Sequence, residues 1–500
     1  MGKKLTGLTE RGVAAIENLS IHPVILLLYF SLLISLRACV EQLLFEKEFS
    51  IYQFTHHFFF ASITLMGGML IISLIGKIGL KQVSQIVAVG SFLMILPPII
   101  DRFIFLRQTN YEYLRPSELI RNFMTYFLST EKAGKGIHLE ITLILLLSGF
   151  YVLFKSRSLW RSVATALSLY VLVAIVSTPR LYLPLPSLKE TSLFESRHII
   201  YLLFYFVAAT LLGTIFLWRL NRNFPRALFQ ALSSFRTLHF LLMVGIGVFF
   251  NPALGLFRIP DSIYFMIATI VMIFLWLATL LVNDVYDLKI DTISNPQRPL
   301  VSGLISPVEY LNLGFCLFLL ALYASLVLGV ISYVIALMIV FSGVCYSVPP
   351  LRIRNRMFHN LFIGWGSVLA FLFGYFIQAD ISHLSLSGEV MMLVLLIFLA
   401  LSAGSVTKDL KDYEGDRQSG VKTIFTVCGL KKGMLISSVL LSLSLLTPLL
   451  LFHRLLDFFV LGLIALIIPI LFAKFKQLPI AFLGYGIAFV YCVFKHFILG

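Results

Sequence analysis

Apolar runs of about twenty residues recur along the whole chain, and they constrain its fold more than any other feature. A helix of that length crosses about 30 Å of hydrocarbon and satisfies its own backbone hydrogen bonds while doing so. Hydrophobic residues make up 59% of the 500 residues and charged residues only 13%. Because a soluble protein needs far more polar surface, the sequence predicts an all-α, polytopic membrane protein.

About fifteen runs are long enough to be transmembrane helices. Six lie in the first half of the chain, at roughly 21–38, 53–76, 84–101, 138–154, 161–180 and 198–218. Nine lie in the second half, at roughly 237–255, 262–283, 311–328, 331–348, 361–379, 388–405, 433–450, 455–473 and 478–497.

Basic residues collect in alternate loops, and this sets the expected orientation. With the N-terminus in the cytoplasm, roughly two thirds of the 39 Lys and Arg fall on the cytoplasmic side. That distribution accounts for the net charge of +15 without nucleic acid, and the sequence has no basic patch interleaved with aromatics. The first residues contain Glu10 and Glu17 and no small-residue cleavage site, so they do not resemble a cleavable signal. We therefore expect an integral, multi-pass protein of a bacterial or archaeal cytoplasmic membrane.

A basic stretch, RLNRNFPRALFQALSSFR, separates two parts of the chain. It spans 219–236, contains Pro225, and can lie along the membrane surface as an amphipathic segment. We expect an N-terminal membrane domain of about six helices at 1–218 and a second membrane domain at 237–500. The first domain has no motif that carries chemistry, so the sequence indicates no function for it.

The first acidic motif, NDVYDLKID, runs from Asn283 to Asp291 directly after an apolar run. On a helix that advances about 100° per residue, Asp284, Asp287 and Asp291 fall within an arc of about 60°. Three carboxylates on one stripe repel one another and are costly at a membrane boundary. A divalent cation removes that cost, and Mg²⁺ is normally held by carboxylates together with phosphate oxygens.

The second acidic motif, DLKDYEGD, repeats the same spacing with Asp409, Asp412 and Asp416. The loop charges place both motifs on the cytoplasmic side, where they can face each other across a cavity. Two such stripes could hold Mg²⁺ ions with a diphosphate between them. The alternative is a pair of solvated acidic loops, which the flanking sequence argues against.

The flanking sequence carries a family resemblance. The first motif and the following NPQRPLVSG, Asn295 to Gly303, are similar to the first signature of the UbiA superfamily of intramembrane prenyltransferases. KDLKDYEGDRQSGVKT, Lys408 to Thr423, resembles their second signature, and YSVPPLR, Tyr346 to Arg352, looks like a third recurrent element. The resemblance covers about 235–500. It implies nine helices around a central cavity capped by cytoplasmic loops, and transfer of a prenyl chain from a polyprenyl diphosphate to an acceptor.

The resemblance also implies roles for the motif residues. By position, the Mg²⁺ ligands are Asn283, Asp284, Asp287 and Asp291 in the first set and Asp409, Asp412 and Asp416 in the second. Departure of the diphosphate develops negative charge, which metals and cationic side chains stabilise. The candidate cationic residues lie near the motifs: Arg298, Lys408, Lys411, Arg417, Arg352 and Arg236. The ring of Tyr346 is expected to face the prenyl cation.

The segment after the first motif favours one branch of the family. Arg298 follows Asp291 by seven positions with no Arg-Thr pair between them, unlike the 4-hydroxybenzoate and haem branches. The pattern is nearer to chlorophyll-synthase-like and digeranylgeranylglyceryl-phosphate-synthase-like members, which use D-x-x-N-x-P-x-R-P, although Ser294 stands at the Asn position. A lipidic or amphiphilic acceptor is therefore expected.

Other functions stay open as alternatives. Within the same family, the acceptor could be an aromatic quinone precursor. A cation-coupled transporter would use the acids as an ion path, but it would place them near the middle of the spans. A CDP-alcohol phosphotransferase needs D-G-x-x-A-R after its first acids, and that string is absent from the sequence.

Overall fold

The computed structural model describes residues 2–19, 21–45, 51–106, 117, 134–183, 191–232, 235–252, 254, 259–379 and 386–495. All regular secondary structure in these residues is helical, which confirms the predicted fold class. Contacts between Cα atoms divide the chain into two compact units, Met1–Arg226 and Ala227–Gly500. The division falls inside the basic segment 219–236, and the assignment of separate roles to the two parts stays a prediction.

The membrane spans coincide with the predicted ones. Twelve helices of the described chain are long and apolar enough to cross a membrane. A pair bent by 64°, Phe224–Leu232 and Thr237–Phe249, makes a thirteenth if it is one span. Two shorter apolar helices are Asn360–Tyr375 and Leu478–Val493. These segments lie at the predicted positions, and twelve or thirteen of the fifteen are long and apolar enough to cross a membrane in the described chain. The protein is therefore an integral multi-pass membrane protein.

The N-terminal unit is a bundle of helices, most of which are apolar. Its described helices are α1 (Gly2–Glu17), α2 (Pro23–Phe45), α3 (Ile51–Gly76), α4 (Leu80–Gly90), α5 (Leu96–Phe103), α6 (Lys135–Ser156), α7 (Leu159–Val176) and α8 (Thr191–Leu220). A 3₁₀ turn at Ser91–Ile95 separates α4 from α5, just before Pro97 and Pro98. Proline lacks a backbone donor and clashes with the preceding turn, so an uninterrupted α-helix cannot form there.

Buried acids of this unit are paired inside it. Asp101 on α5 accepts a hydrogen bond from the backbone N of Gly136 at 2.7 Å. Glu140, one turn further along α6, lies 3.8 Å from Nη1 of Arg37 on α2. These contacts join three helices, as expected for ionisable groups that must find partners within a membrane domain.

The C-terminal unit carries the two acidic motifs. Between the units, α9 (Phe224–Leu232) spans the point of division. The helices that follow are α10 (Phe235–Phe249), α11 (Ile259–Tyr286), α12 (Leu288–Ser294), α13 (Pro307–Ser325), α14 (Val330–Ser347), α15 (Asn360–Tyr375), α16 (Gly388–Gly404), α17 (Asp409–Gln418), α18 (Ile424–Cys428), α19 (Leu430–Leu446), α20 (Leu455–Phe475) and α21 (Leu478–Phe494). The second motif lies on the short helix α17, whereas the first runs from the last turn of α11 into the short helix α12.

Glycine allows α10 and α15 to cross at close range. A Cβ on Gly247 would collide with the carbonyl oxygen of Phe371, and a Cβ on Gly374 would collide with that of Val244. The two glycines face each other's helix, so the backbones pack directly together in the manner of small-residue contacts in membranes. Nδ2 of Asn251 donates to the carbonyl oxygen of Ile377 at 2.8 Å and closes the same end of the crossing.

Candidate active site

The first motif begins in the last turn of α11 and continues through α12. Asp287 interrupts the helix between them, with φ −94° and ψ 9°. The i to i+4 backbone hydrogen bonds nevertheless continue through it, from Asp287 N to Asn283 O and from Asp291 N to Asp287 O, both at 2.9 Å. The motif is therefore two helical pieces rather than the continuous helix that the spacing predicts, but its periodicity is kept.

Arg298 joins the two ends of the first motif. Its Nη1 donates to Oδ1 of Asp284 at 2.6 Å and to Oδ2 of Asp291 at 2.5 Å. The hydroxyl of Tyr310 lies 3.4 Å from the other oxygen of Asp284. Burial raises the pKa of Asp291 to about 7, although the charge of Arg298 acts in the opposite direction. Asp291 thus lies in a poorly solvated position beside the guanidinium of Arg298.

The second motif lies on α17. Asp409, at its first position, is fully buried. Nε2 of His359 lies 3.2 Å from one of its oxygens, and Nδ2 of Asn360 donates to the other at 3.1 Å. Nδ1 of His359 lies 2.9 Å from the carbonyl oxygen of Arg356. The N-terminal end of α15 and the residue before it therefore hold Asp409 on both sides.

Arg354 bridges the two motifs. Its Nη2 donates to Oδ1 of Asp416 at 2.8 Å and lies 3.8 Å from Oδ2 of Asp412. Its Nε lies 3.5 Å from Oδ2 of Asp287 in the first motif. The residue is only 4% exposed, so its charge acts on these carboxylates with little screening by water.

Close packing of α12 against α17 supports this bridge. Gly415 faces α12, and a Cβ there would lie 2.8 Å from the carbonyl oxygen of Ile290. Nδ2 of Asn295 donates to both motifs, to Asp291 at 3.0 Å and to Asp412 at 3.2 Å. The two acidic stripes thus meet at one end of the C-terminal unit.

A cavity of about 1530 Å³ begins between the motifs and continues along the bundle. Its polar end is lined by Asn283, Asp287, Asp291, Arg298, Tyr346, Arg354, Lys408 and Asp412. Most of the remaining wall is apolar and comes from α10, α16 and α21. On α16 the lining runs from Glu389 to Gly404, a helical length of roughly 22 Å. The cavity therefore suits a long molecule with one charged end.

The six predicted metal ligands do not all face this cavity. Three of them line it: Asp287, Asp291 and Asp412. The other three lie in buried contacts behind the described cavity wall: Asp284, Asp409 and Asp416. The spacing in the sequence does not distinguish these two groups of three aspartates, whereas the fold places only the first group in the cavity wall.

Four other predicted residues lie in the cavity wall or in direct contact with it. Nδ2 of Asn283 donates to Asp287 at 3.1 Å. Nζ of Lys408 donates to the hydroxyl of Tyr346 at 3.0 Å, so these two side chains stand together on the wall. Nη2 of Arg352 lies 3.2 Å from Oδ1 of Asp287 and donates to a backbone oxygen at 2.8 Å.

The remaining three predicted residues are not brought into the described wall. Lys411 and Arg417 lie on exposed positions of α17. Within the described contacts, neither is paired with a motif carboxylate. Arg236 is the second residue of α10, but its side chain lies outside the described residues. Roles for these three residues stay predictions.

Several site residues were not predicted from the sequence: Asn295, Tyr310, Arg354, His359 and Asn360. Asn295 stands at the start of NPQRPLVSG, so its place in that segment was a usable signal. Arg354 was not distinguishable from its neighbours Arg352 and Arg356, because alternate residues of a loop carry no periodicity that ranks them. His359 and Asn360 become significant only through their contact with Asp409.

The site's donor set fits Mg²⁺ and a diphosphate. Carboxylate oxygens are the ligands that Mg²⁺ prefers, and it usually completes its shell with phosphate oxygens and water. In the described part of the chain, no three His, Cys, Asp or Glu are close enough to hold a metal ion by themselves. Among the buried atoms that lack a hydrogen-bond partner in these residues is Nη1 of Arg354, which lines the cavity. A cationic donor in this position suits a phosphate oxygen.

Part of this unit is similar to a known family of proteins. Residues 240–479 match the model of the UbiA prenyltransferase family. The digeranylgeranylglyceryl phosphate synthase of Saccharolobus solfataricus is 30% identical over 164 residues, which is 33% of this chain and 56% of that protein. The enzyme of the same name from Korarchaeum cryptofilum is 31% identical over 192 residues, 38% of this chain and 66% of that protein. The chain thus spans little more than half of the length of most such relatives.

One solved structure with a similar fold is a UbiA homologue from Archaeoglobus fulgidus bound to GPP and Mg²⁺. It is 18% identical, and the match covers 55% of this chain and 98% of that protein with a TM-score of 0.42.

Proposed function

We propose that the protein transfers a prenyl group from a polyprenyl diphosphate to a lipidic acceptor within the membrane, with Mg²⁺, because residues 240–479 match the model of the UbiA prenyltransferase family. One observation carries this proposal: both aspartate motifs meet at the polar end of a cavity whose other walls are largely apolar. A polyprenyl diphosphate has the same division into a charged end and a hydrocarbon chain.

The residues at the polar end would bind the diphosphate. Asp287, Asp291 and Asp412 line the cavity and are our candidates to hold Mg²⁺. When bound, Mg²⁺ would neutralise the diphosphate oxygens and stabilise the negative charge that develops as the carbon–oxygen bond breaks. The cationic side chains of the same wall, Arg298, Arg354 and Lys408, would orient the leaving group through charge-assisted hydrogen bonds.

The apolar part of the cavity would bind the prenyl chain. Burial of hydrocarbon contributes about 25 cal/mol per Å² removed from water, so a long chain can supply much of the binding free energy. The same walls keep water away from the allylic carbon, which would otherwise be hydrolysed. Nζ of Lys408 donates to the hydroxyl of Tyr346 and holds it on this wall. The reacting carbon of the prenyl chain would lie at the same end of the cavity, beside the carboxylates.

The relatives suggest the acceptor. The product in their name, digeranylgeranylglyceryl phosphate, carries two geranylgeranyl groups on a glyceryl phosphate. We propose geranylgeranyl diphosphate as the donor and a glyceryl phosphate lipid with one geranylgeranyl group as the acceptor. The free hydroxyl of the acceptor would attack the first carbon of the donor chain; an ether bond forms, diphosphate leaves, and the hydroxyl proton is released. We also propose that the polar end faces the cytoplasm, in line with the basic loops.

A transfer assay tests this function. Purified protein in lipid nanodiscs is incubated with radiolabelled geranylgeranyl diphosphate, Mg²⁺ and either the glyceryl phosphate acceptor or 4-hydroxybenzoate. We expect labelled product only with the lipid acceptor, and a loss of about a hundredfold or more in Asp287→Asn because a metal ligand is removed. Glu414→Gln is the matched control, since Glu414 is exposed on α17 and is not part of the described cavity wall.

Two outcomes would change the conclusion. Product that forms equally without Mg²⁺ or in Asp287→Asn contradicts the site. Transfer to 4-hydroxybenzoate alone replaces the lipidic acceptor with an aromatic one.

A further inference from the structure

Arg354 neutralises carboxylates that the proposed function also assigns to Mg²⁺. Its guanidinium lies 3.5 Å from Asp287, 3.8 Å from Asp412 and 2.8 Å from Asp416. With 4% of its surface exposed, Arg354 must be compensated by these negative charges, because an unpaired buried cation is strongly destabilising.

Arg354 and a metal ion therefore compete for the same oxygens. Asp287, Asp412 and Arg354 all line the cavity, and two cations a few ångströms apart repel each other strongly where water is scarce. In the described residues, no three His, Cys, Asp or Glu side chains are close enough together to hold a metal ion by themselves. The pairing thus disfavours binding of a metal ion alone.

One atom of Arg354 points to the partner that resolves this competition. Nη1 is buried and has no hydrogen-bond partner among the described residues. A buried donor that stays unpaired is costly, and more so when it is charged. A guanidinium is suited to two parallel hydrogen bonds with phosphate oxygens. An anion that enters the cavity would accept a hydrogen bond from Nη1. It would also replace the carboxylates as the negative partner of the guanidinium.

We propose that Arg354 is an exchangeable counter-ion that makes metal binding depend on diphosphate. Before substrate binds, it neutralises Asp287 and Asp412. When Mg²⁺ and the diphosphate enter together, its guanidinium moves from these carboxylates to the diphosphate oxygens. This inference rests on the proposed function, and it adds that the protein does not retain Mg²⁺ without its donor substrate.

Mn²⁺ binding tests the exchange without any prenyl transfer. Purified full-length protein is titrated with Mn²⁺, with and without inorganic diphosphate, and free Mn²⁺ is followed by electron paramagnetic resonance. For the wild type we expect diphosphate to tighten Mn²⁺ binding by about tenfold or more. In Arg354→Met we expect Mn²⁺ alone to bind about tenfold more tightly than to the wild type, and diphosphate to add little.

Arg356→Met is the matched control, because Arg356 lies two residues away and is exposed; it should behave like the wild type. If Arg354→Met fails to fold, Arg354→Lys replaces it. Lysine keeps the charge but lacks the planar fork, so Mn²⁺ alone should bind as in the wild type and the enhancement by diphosphate should fall.

Two results would overturn the proposal. One is weaker Mn²⁺ binding by Arg354→Met in the absence of diphosphate, and the other is an unchanged enhancement by diphosphate in either variant. Either result would mean that Arg354 is a fixed structural counter-ion. Neither would contradict the proposed prenyl transfer. A protein with the expected Mn²⁺ behaviour that transfers no prenyl group would contradict the proposed function instead.

Discussion

Nδ2 of Asn295 donates to Oδ1 of Asp412 across 3.2 Å and links the first motif directly to the second. The same amide donates to Asp291 at 3.0 Å. Asn295 is buried, so one neutral side chain holds two carboxylates of opposite motifs at a fixed separation. That separation determines where a metal ion and a diphosphate could bind between them.

We expect Asn295→Ala to lower kcat/KM for the prenyl diphosphate by about ten- to a hundredfold, because hydrogen bonds to charged groups contribute about 1.5–3 kcal/mol. Gln297→Ala is the control, since Gln297 is exposed in the same loop. Steady-state kinetics at saturating acceptor provide the measurement. Equal kinetics for the two variants would show that the link between the motifs is not needed.

Gly415 is expected to tolerate no side chain. A Cβ there would lie 2.5 Å from Oγ of Ser294 and 2.8 Å from the carbonyl oxygen of Ile290, so Gly415→Ala must push α17 away from α12. Overpacking of this kind costs about 1–3 kcal/mol. We expect a lower melting temperature in detergent and a larger loss of Mn²⁺ binding in the presence of diphosphate. Gly388→Ala, where the Cβ meets nothing within 4 Å, should leave both unchanged.

The spans and the existence of the site could be predicted from the sequence because each depends on local information. A run of about twenty apolar residues has few alternatives to a membrane helix. The spacing of Asp284, Asp287 and Asp291 is likewise a property of one segment. The interruption at Asp287 left that spacing usable, because the backbone hydrogen bonds continue through it.

The orientation of each carboxylate could not be predicted, because it depends on contacts between distant segments. Asp409 turns away from the cavity since His359 and Asn360, about fifty residues earlier, bind it on both sides. Arg354 and Arg352 belong to the same loop and differ in the carboxylates that the fold places closest to them, Asp416 for Arg354 and Asp287 for Arg352. Sequence spacing carries no information about such pairings.

Substitution of Asp409 and of Asp412 should have different effects. Asp409→Asn should lower stability, since it weakens a buried contact with His359, but it should leave Mn²⁺ binding with diphosphate within about threefold of the wild type. Asp412→Asn removes a carboxylate from the cavity wall and should weaken that binding by more than about tenfold. Thermal melting and Mn²⁺ titration separate the two effects. His359→Gln should reproduce the effects of Asp409→Asn; equal loss of Mn²⁺ binding in all three variants would contradict the orientation of Asp409.

The length of the donor chain should depend on the cavity wall at Gly245. This residue lines the cavity on α10, and a Cβ there would meet nothing within 4 Å. It lies near the crossing of α10 with α15 at Gly374, which is roughly 20 Å of helix beyond Asn360 at the polar end. A large side chain at Gly245 would fill the space that the distal part of a long prenyl chain needs, while a short chain would end before it.

We therefore expect the kcat/KM of Gly245→Phe for geranyl diphosphate to lie within about threefold of the wild-type value. Its kcat/KM for geranylgeranyl diphosphate should fall about tenfold or more, because the longer chain no longer fits the shortened cavity. Competition between the two labelled donors in one reaction gives the ratio of their kcat/KM values directly. Gly462→Phe is the matched control, because Gly462 also has open space at its Cβ but is absent from the described cavity wall. A donor ratio that is unchanged in Gly245→Phe would mean that the prenyl chain does not extend along α10.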